Sequence, residues 1–233
     1  MRVARAHGSR QTTDHCTSTT SPGRMTSPDT PPVDPFADDL SEGKVFRELD
    51  FRGGEISDRI FRECTFTNVT FAEARLRECR FEDCVVRLSD WTMVKVYGTA
   101  MRGVKFEGSK LMGIDWSDGH RSLDASFKEC VLDYCSFVRI DLRKCAFKDC
   151  RMLEVNFSEA NLSEADFSGS NLDRCRFHRT DLSRANLAGA TNFLVNPTEN
   201  KVRGAVISLD AAVGIVATMG MTVSGFGDAP KRR

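Results

Sequence analysis

Residues 160–169 read Ala160-Asn161-Leu162-Ser163-Glu164-Ala165-Asp166-Phe167-Ser168-Gly169. These are two units of five, each a small residue, a polar residue, a large apolar residue and two more polar or small residues. Moving outward from Leu162 and Phe167, a large apolar residue recurs at every fifth position. One series runs from Phe46 to Trp116 and a second from Phe127 to Leu187, giving 28 centres, all apolar. With 40% of the chain apolar, chance agreement is on the order of 10⁻¹¹, so the period is a property of the fold.

The residue two before each centre is Ala, Cys, Ser, Thr, Val or Gly in 23 of the 28 units, the exceptions being Lys44, Leu49, Arg59, Ile114 and Ile140. A period of five fits neither a helix nor a simple strand. It fits a chain that turns a corner every five residues, with one large and one small side chain pointing inward per unit. Each unit then buries its apolar residues only against its neighbours, which is the logic of a solenoid.

The rest of the composition bounds the function. Lys and Arg number 33, as do Asp and Glu. Zero net charge argues against direct nucleic-acid binding, which calls for a basic surface. No apolar run reaches the ~20 residues of a membrane span. Residues 1–35 hold five of the seven prolines, and Ser, Thr and Pro supply 16 of the 35 positions. Such a segment buries too little apolar surface to offset its ordering entropy and is expected to be disordered, as is the tail 224–233. Eight of the nine cysteines (Cys64, Cys79, Cys84, Cys130, Cys135, Cys145, Cys150, Cys175) fall on the small inward position. Their spacing of five is the repeat and not the spacing of a zinc site, so no metal and no cofactor is expected. Buried free thiols point to a reducing compartment, the cytoplasm.

The repeat breaks once. Eleven residues separate Trp116 from Phe127 where ten would keep register. The irregular segment 117–126 carries the turn signal Asp118-Gly119 and is expected to bulge from a regular wall. Asp115, Trp116, Ser117, Asp118, Gly119, His120 and Arg121 form a candidate partner-binding loop. His120 beside Asp115 or Asp118 is the one constellation with catalytic residue types. No phosphate loop, nucleophile elbow or zinc motif accompanies it, so the chain is not expected to be an enzyme.

The repeats end near residue 193, and 194–223 reads as a cap. Ser208 is a good N-cap, Asp210 suits a first helical turn, and Leu209 to Thr218 is expected to be helical with Gly220 as the stop. Leu209, Ala212, Val213, Ile215, Val216 and Met219 make this helix apolar almost all round. Such a helix must be buried, over the open solenoid end and against its copy in a homodimer.

The five-residue repeat resembles the pentapeptide-repeat family. The resemblance implies an all-β solenoid: a right-handed quadrilateral β-helix over residues 36–193, with four units per coil and a short C-terminal α-helical cap. The 28 centres then give about seven coils and a rod of roughly 34 Å. Because Phe alternates with Leu or Met in the second half, Phe columns are expected on two opposite sides, with Leu187 departing from the rule.

The layout of two repeat blocks, an irregular segment after Leu111-Met112-Gly113-Ile114-Asp115-Trp116 and a cap containing Asn200 to Ile207 resembles the topoisomerase-protecting subgroup of that family. Its members confer resistance to albicidin and quinolones. The resemblance implies a non-enzymatic homodimer that binds DNA gyrase, with topoisomerase IV as a second partner, as drug resistance or self-immunity. It also implies an acidic surface that mimics DNA, for which Glu154, Glu159, Glu164, Asp166, Asp173 and Asp181 are the candidates. Residues 36–193 carry 24 basic and 27 acidic side chains, so mimicry requires the acids to share one side. The alternative reading is a structural or adaptor module whose polar walls bind an unrelated protein.

Overall fold

The computed structural model describes residues 35–224; the disorder expected of residues 1–34 and 225–233 lies outside the described residues. The chain winds into a β-solenoid of about eight turns. Every rung pairs in parallel with the rung one turn on. Phe46 stands over Phe66, Phe66 over Val86, and Val86 over Phe106, a step of twenty residues. Four units of five therefore make one turn. We number the sides in chain order from the Phe46 ladder: side 1 (Phe46), side 2 (Phe51), side 3 (Ile56) and side 4 (Phe61).

The rungs are short, three residues such as Thr65–Thr67 and Arg80–Glu82, each with only its central side chain buried. The corner residue two after each centre carries the turn. It holds a left-handed backbone at 20 non-glycine corners among the described residues, Glu63, Glu78 and Lys144 among them. Each such residue costs ~1–2 kcal/mol, offset by the ladder bonds and the filled interior that the turn makes possible.

The interior is a stack of rings. Phe127, Phe147 and Phe167 lie parallel on side 1, with centroids 5.0 Å apart at each step. Phe137, Phe157 and Phe177 do the same on side 3 at 5.2 and 5.4 Å. Across the interior the two columns meet edge to face, as Phe137 meets Phe147 at 5.9 Å and 76°. The alternation of Phe with Leu or Met thus places the rings on opposite sides, and Leu187 continues the side 1 column, buried.

The stack is longer than the 28 centres imply. At the first turn Phe36 is buried and packs on Phe46, Phe51, Phe61 and Phe71, plugging the open end. At the other end the ladder runs past residue 193: Asp181 pairs with Lys201 and Leu187 with Ile207. The reason is that Val202 and Ile207 repeat the inward positions of Leu182 and Leu187 one turn later. Helix α1, Leu209–Thr218, follows directly, with Ser208 Oγ accepting the Ala211 N–H at 3.2 Å.

Candidate partner-binding site

The break after Trp116 is a change of turn length at two adjacent corners. On side 4, Met101 pairs with Leu123, a step of twenty-two. Ser122 pairs with Asp141, a step of nineteen. Two residues are therefore added after Trp116 and one is removed before Phe127. Leu123 fills the side 4 centre and is buried. The five-residue count passes over it; its signal is a large apolar residue four before Phe127.

The added residues form a tight structure on the corner between sides 3 and 4. Trp116–Asp118 is a single 3₁₀ turn whose N-cap, Asp115, accepts the Ser117 N–H at 3.0 Å and the Ser117 hydroxyl at 2.6 Å. The Gly98 N–H donates to Asp118 O at 3.0 Å, and the His120 N–H donates to Thr99 O at 3.1 Å. Gly119 lies so close to the wall that a Cβ there would sit 3.0 Å from Thr99 O and 3.2 Å from Val96 O. This close approach accounts for the glycine.

Of the seven candidate loop residues, Ser117, Asp118, His120 and Arg121 are exposed, while Asp115 and Gly119 are partly covered. Trp116 is a correction. It is buried at 4% exposure, stacks on Phe137 at 5.9 Å and 7°, and meets Phe106 and Phe127 edge to face. It occupies a side 3 centre and belongs to the core. The loop stands between two clefts. One, of about 670 Å³, lies between His120 and Ser122 and the wall residues Asp58, Glu78, Arg80 and Arg102. The other, of about 390 Å³, lies between Arg121 and Val138, Arg139 and Ile140. The site offers hydrogen-bonding groups and charges of both signs to a partner's surface.

The six candidate acids do not share a side. Asp166 lies on side 1, Asp173 on side 2 and Asp181 on side 4, while Glu154, Glu159 and Glu164 occupy three different corners. Five of them hold a cation: Glu154–Arg174 (3.2 Å), Glu159–Arg139 (3.0 Å), Glu164–Arg184 (2.5 Å), Asp166–Lys148 (3.0 Å) and Asp181–Lys201 (3.4 Å). The Arg139 and Arg184 guanidiniums hold Glu159 and Glu164 below the usual carboxylate range. Partial burial opposes the shift at Asp166 and Asp181, but their cations and the N–H groups of Ser168 and Ser183 still hold both low. The Asp or Asn before a centre is thus an Asx-turn residue that accepts the amide two positions on. Five of the six acids are in structural pairs distributed around the solenoid, so they do not form a row of free anions.

Helix α1 lies over the last turn through Ala211, which is buried, and Ile215, which packs on the core. Ile215 therefore serves the cap. Leu209 and Met219 are exposed, while Ala212, Val213 and Val216 are partly exposed. The helix is only half covered.

All eight cysteines in the repeats are free, and seven are fully buried. Beyond filling space, they satisfy the backbone. Cys64 Sγ donates to Ser41 O at 3.2 Å, Cys135 Sγ to Leu111 O at 2.8 Å, and Cys175 Sγ to Met152 O at 3.0 Å. Ser170 and Thr180 donate from the same inward position to Phe147 O and Phe157 O. Asn200 Nδ2 does so to Phe177 O. Reading the cysteines as small apolar residues misses this donor role. Burial pushes the thiols of Cys84, Cys135 and Cys175 up to about 12 and that of Cys145 to about 11. No group of three or more His, Cys, Asp or Glu is placed to hold a metal ion among the described residues.

Two family models match the sequence. One describes pentapeptide repeats (8 copies) and covers residues 46–83; the other describes a pentapeptide repeat region and covers 122–191. Both fall on the twenty-residue turns described above. The chain belongs to the pentapeptide-repeat family. Solved structures agree in fold. A trypsin-treated variant of QnrB1, a plasmid-mediated fluoroquinolone resistance protein, is 17% identical with a TM-score of 0.54, over 79% of this chain and 97% of that one. A second QnrB1 variant is 19% identical with a TM-score of 0.53, over 82% and 94%. HetL, involved in heterocyst differentiation regulation in the cyanobacterium Nostoc sp., is 17% identical with a TM-score of 0.61, over 72% and 85%. No curated protein matches the sequence. In this pentapeptide-repeat protein no helix among the described residues is long and apolar enough to cross a membrane.

Proposed function

We propose that this pentapeptide-repeat protein is a non-enzymatic protection factor for a type II topoisomerase, DNA gyrase first and topoisomerase IV second. It would bind the enzyme and relieve a poison of the quinolone or albicidin type, giving resistance or self-immunity. The observation that carries the reading is the loop Ser117–Ser122. It interrupts the wall between the two repeat blocks, it presents Ser117, Asp118, His120 and Arg121 to solvent, and clefts flank it on both sides. The fold shared with QnrB1, a fluoroquinolone resistance protein, supports it. The half-covered helix α1 supports a homodimer joined through Leu209, Val213, Val216 and Met219, and the free thiols support a cytoplasmic setting. DNA mimicry is not part of the reading, because five of the six candidate acids are paired and the six lie on different sides and corners.

The test is a gyrase supercoiling assay with a quinolone and with an albicidin-type poison. Restored supercoiling at near-stoichiometric protein, lost when residues 117–121 are deleted from a variant that still folds, supports the reading. No rescue by a well-folded protein at any concentration refutes it. The same fold in HetL favours a second reading, an adaptor for an unrelated protein. That reading gains if gyrase is neither bound nor rescued.

A further inference from the structure

Corner residues are held in a left-handed backbone, where glycine, asparagine and short polar side chains are at ease. Of the 20 non-glycine corners, seventeen are polar or charged. The other three are Leu88 (φ 48°), Met93 (φ 59°) and Tyr134 (φ 61°). All three are exposed, at 65%, 44% and 54%. A bulky apolar residue in this conformation is strained, and exposure returns little burial energy to offset it. A polar side chain would serve the turn as well.

Their positions coincide. Leu88 stands at the corner where side 2 begins, and Met93 and Tyr134 at the corner where it ends. The intervening corners on the next turn are Gly108 and Gly113. Leu88 leans over the first, where a Cβ would meet Leu88 Cδ2 at 3.0 Å, and Met93 over the second, where a Cβ would meet Met93 Sδ at 2.4 Å. The wall between them is unusually apolar. Its outward residues include Met112, Val131 and Leu153, all partly exposed. The carboxylate of Asp133 is buried beneath this wall, bound by Arg151 Nη2 at 2.6 Å and the Leu153 N–H at 3.0 Å. Asp90 is engaged by the Thr92 N–H at 2.9 Å. Lys110, at the centre, is exposed and makes no ion pair among the described residues.

We propose that side 2 between Leu88 and Tyr134 is a second docking surface. It takes a segment of the topoisomerase that carries apolar side chains and a carboxylate. Three apolar anchors beside two glycine corners and a partly apolar wall match the anatomy of a protein interface. The exposed Lys110 ammonium, on the rung next to Asp90 but in no ion pair with it, offers a partner to an acidic group. The mixed charge of the wall does not suit a nucleic acid. This inference rests on the proposed function for the identity of the partner. The surface itself rests on the corner residues alone.

The test is binding of purified DNA gyrase to immobilised protein. The variant is Leu88→Asn, Met93→Asn and Tyr134→Asn together. Asparagine tolerates the left-handed corner, so the variant should fold with an unchanged or higher melting temperature. Gyrase affinity should fall at least tenfold, and Lys110→Glu alone should weaken binding severalfold. Binding by the triple variant within twofold of the unmodified protein overturns the surface while leaving the protection reading intact. No gyrase binding by the unmodified protein overturns both. If light scattering shows the triple variant dissociating a dimer that the unmodified protein forms, the occupant is a second copy, and the proposal is wrong.

Discussion

Gly119→Ala is the smallest change that should displace the loop while sparing the solenoid. The added Cβ would lie 3.0 Å from Thr99 O, 3.2 Å from Val96 O and 3.3 Å from Trp116 O. All three neighbours are backbone carbonyls, and each is already held by an N–H: from His120, Thr99 and Gly119 respectively. They cannot retreat as a flexible side chain could, so the loop must move outward by a few tenths of an ångström. The bonds in its way are Gly98 N–H to Asp118 O (3.0 Å) and His120 N–H to Thr99 O (3.1 Å). At a net ~0.5–1.5 kcal/mol per bond, their loss costs about 1–3 kcal/mol, confined to this corner. In native-state hydrogen exchange the amides of Gly98 and His120 should exchange about 5- to 150-fold faster. Amides in the Phe157–Phe177 region, at least one full turn further on, should not change, because turns couple mainly to their neighbours. Poison protection should need severalfold more protein. Unchanged exchange at both amides would refute the steric argument. Faster exchange with full protection would leave the geometry standing and remove the loop from the function.

Three further outcomes follow from burial and charge. Val216→Asp, on the half-covered helix, should yield monomers by light scattering with a largely retained melting temperature; persistent dimers would make α1 only a cap. Asp141, Glu159, Glu164, Asp166 and Asp181 all titrate below their ordinary values. Their stabilisation is full above the unfolded carboxylate range and lost as pH falls through the folded values, so thermal melts should be level from pH 7 to about pH 5 and fall below about pH 4; a melting temperature that stays level to pH 3 contradicts the pairing. Cys84 and Cys135 are buried thiols raised to about 12, so in a Cys16→Ser protein they should resist alkylation at pH 8 until denaturant is added, and fast native labelling of either would count against the packing.

The fold was legible because burial writes a short period into the chain. Leu162 and Phe167 have the same neighbours whatever the outward residues are, so only a large apolar side chain serves there, and the count of five follows. Helix α1 was equally legible, since Ser208 and Gly220 mark its ends by local chemistry. Leu123 was not, because the break redistributes residues between two corners and a fixed count passes over it. Trp116 was misread for the complementary reason: adjacency to the irregular segment drew attention to it, although its place in the series already made it a core residue.

The charges show why the candidate surface was harder to read. Counting acids along residues 154–181 treats the chain as a line, whereas the solenoid makes residues twenty apart into neighbours. Glu154 and Arg174, Arg139 and Glu159, Glu164 and Arg184, and Asp181 and Lys201 are each separated by twenty positions, and each pair is in contact. Arg62 with Glu82 and Arg87 with Glu107 repeat the rule in the first half. Exposed pairs of this kind add little stability individually, but they pair charges on corners and walls from one turn to the next. A surface built this way presents charges of both signs side by side rather than a face of one sign. Recognition then falls to the positions that depart from the pattern: the residues added after Trp116, and the three corners where Leu88, Met93 and Tyr134 stand in place of a polar residue. Those departures are visible in the sequence once the corner position is scanned separately from the centre, because an apolar residue there serves neither the turn nor the core.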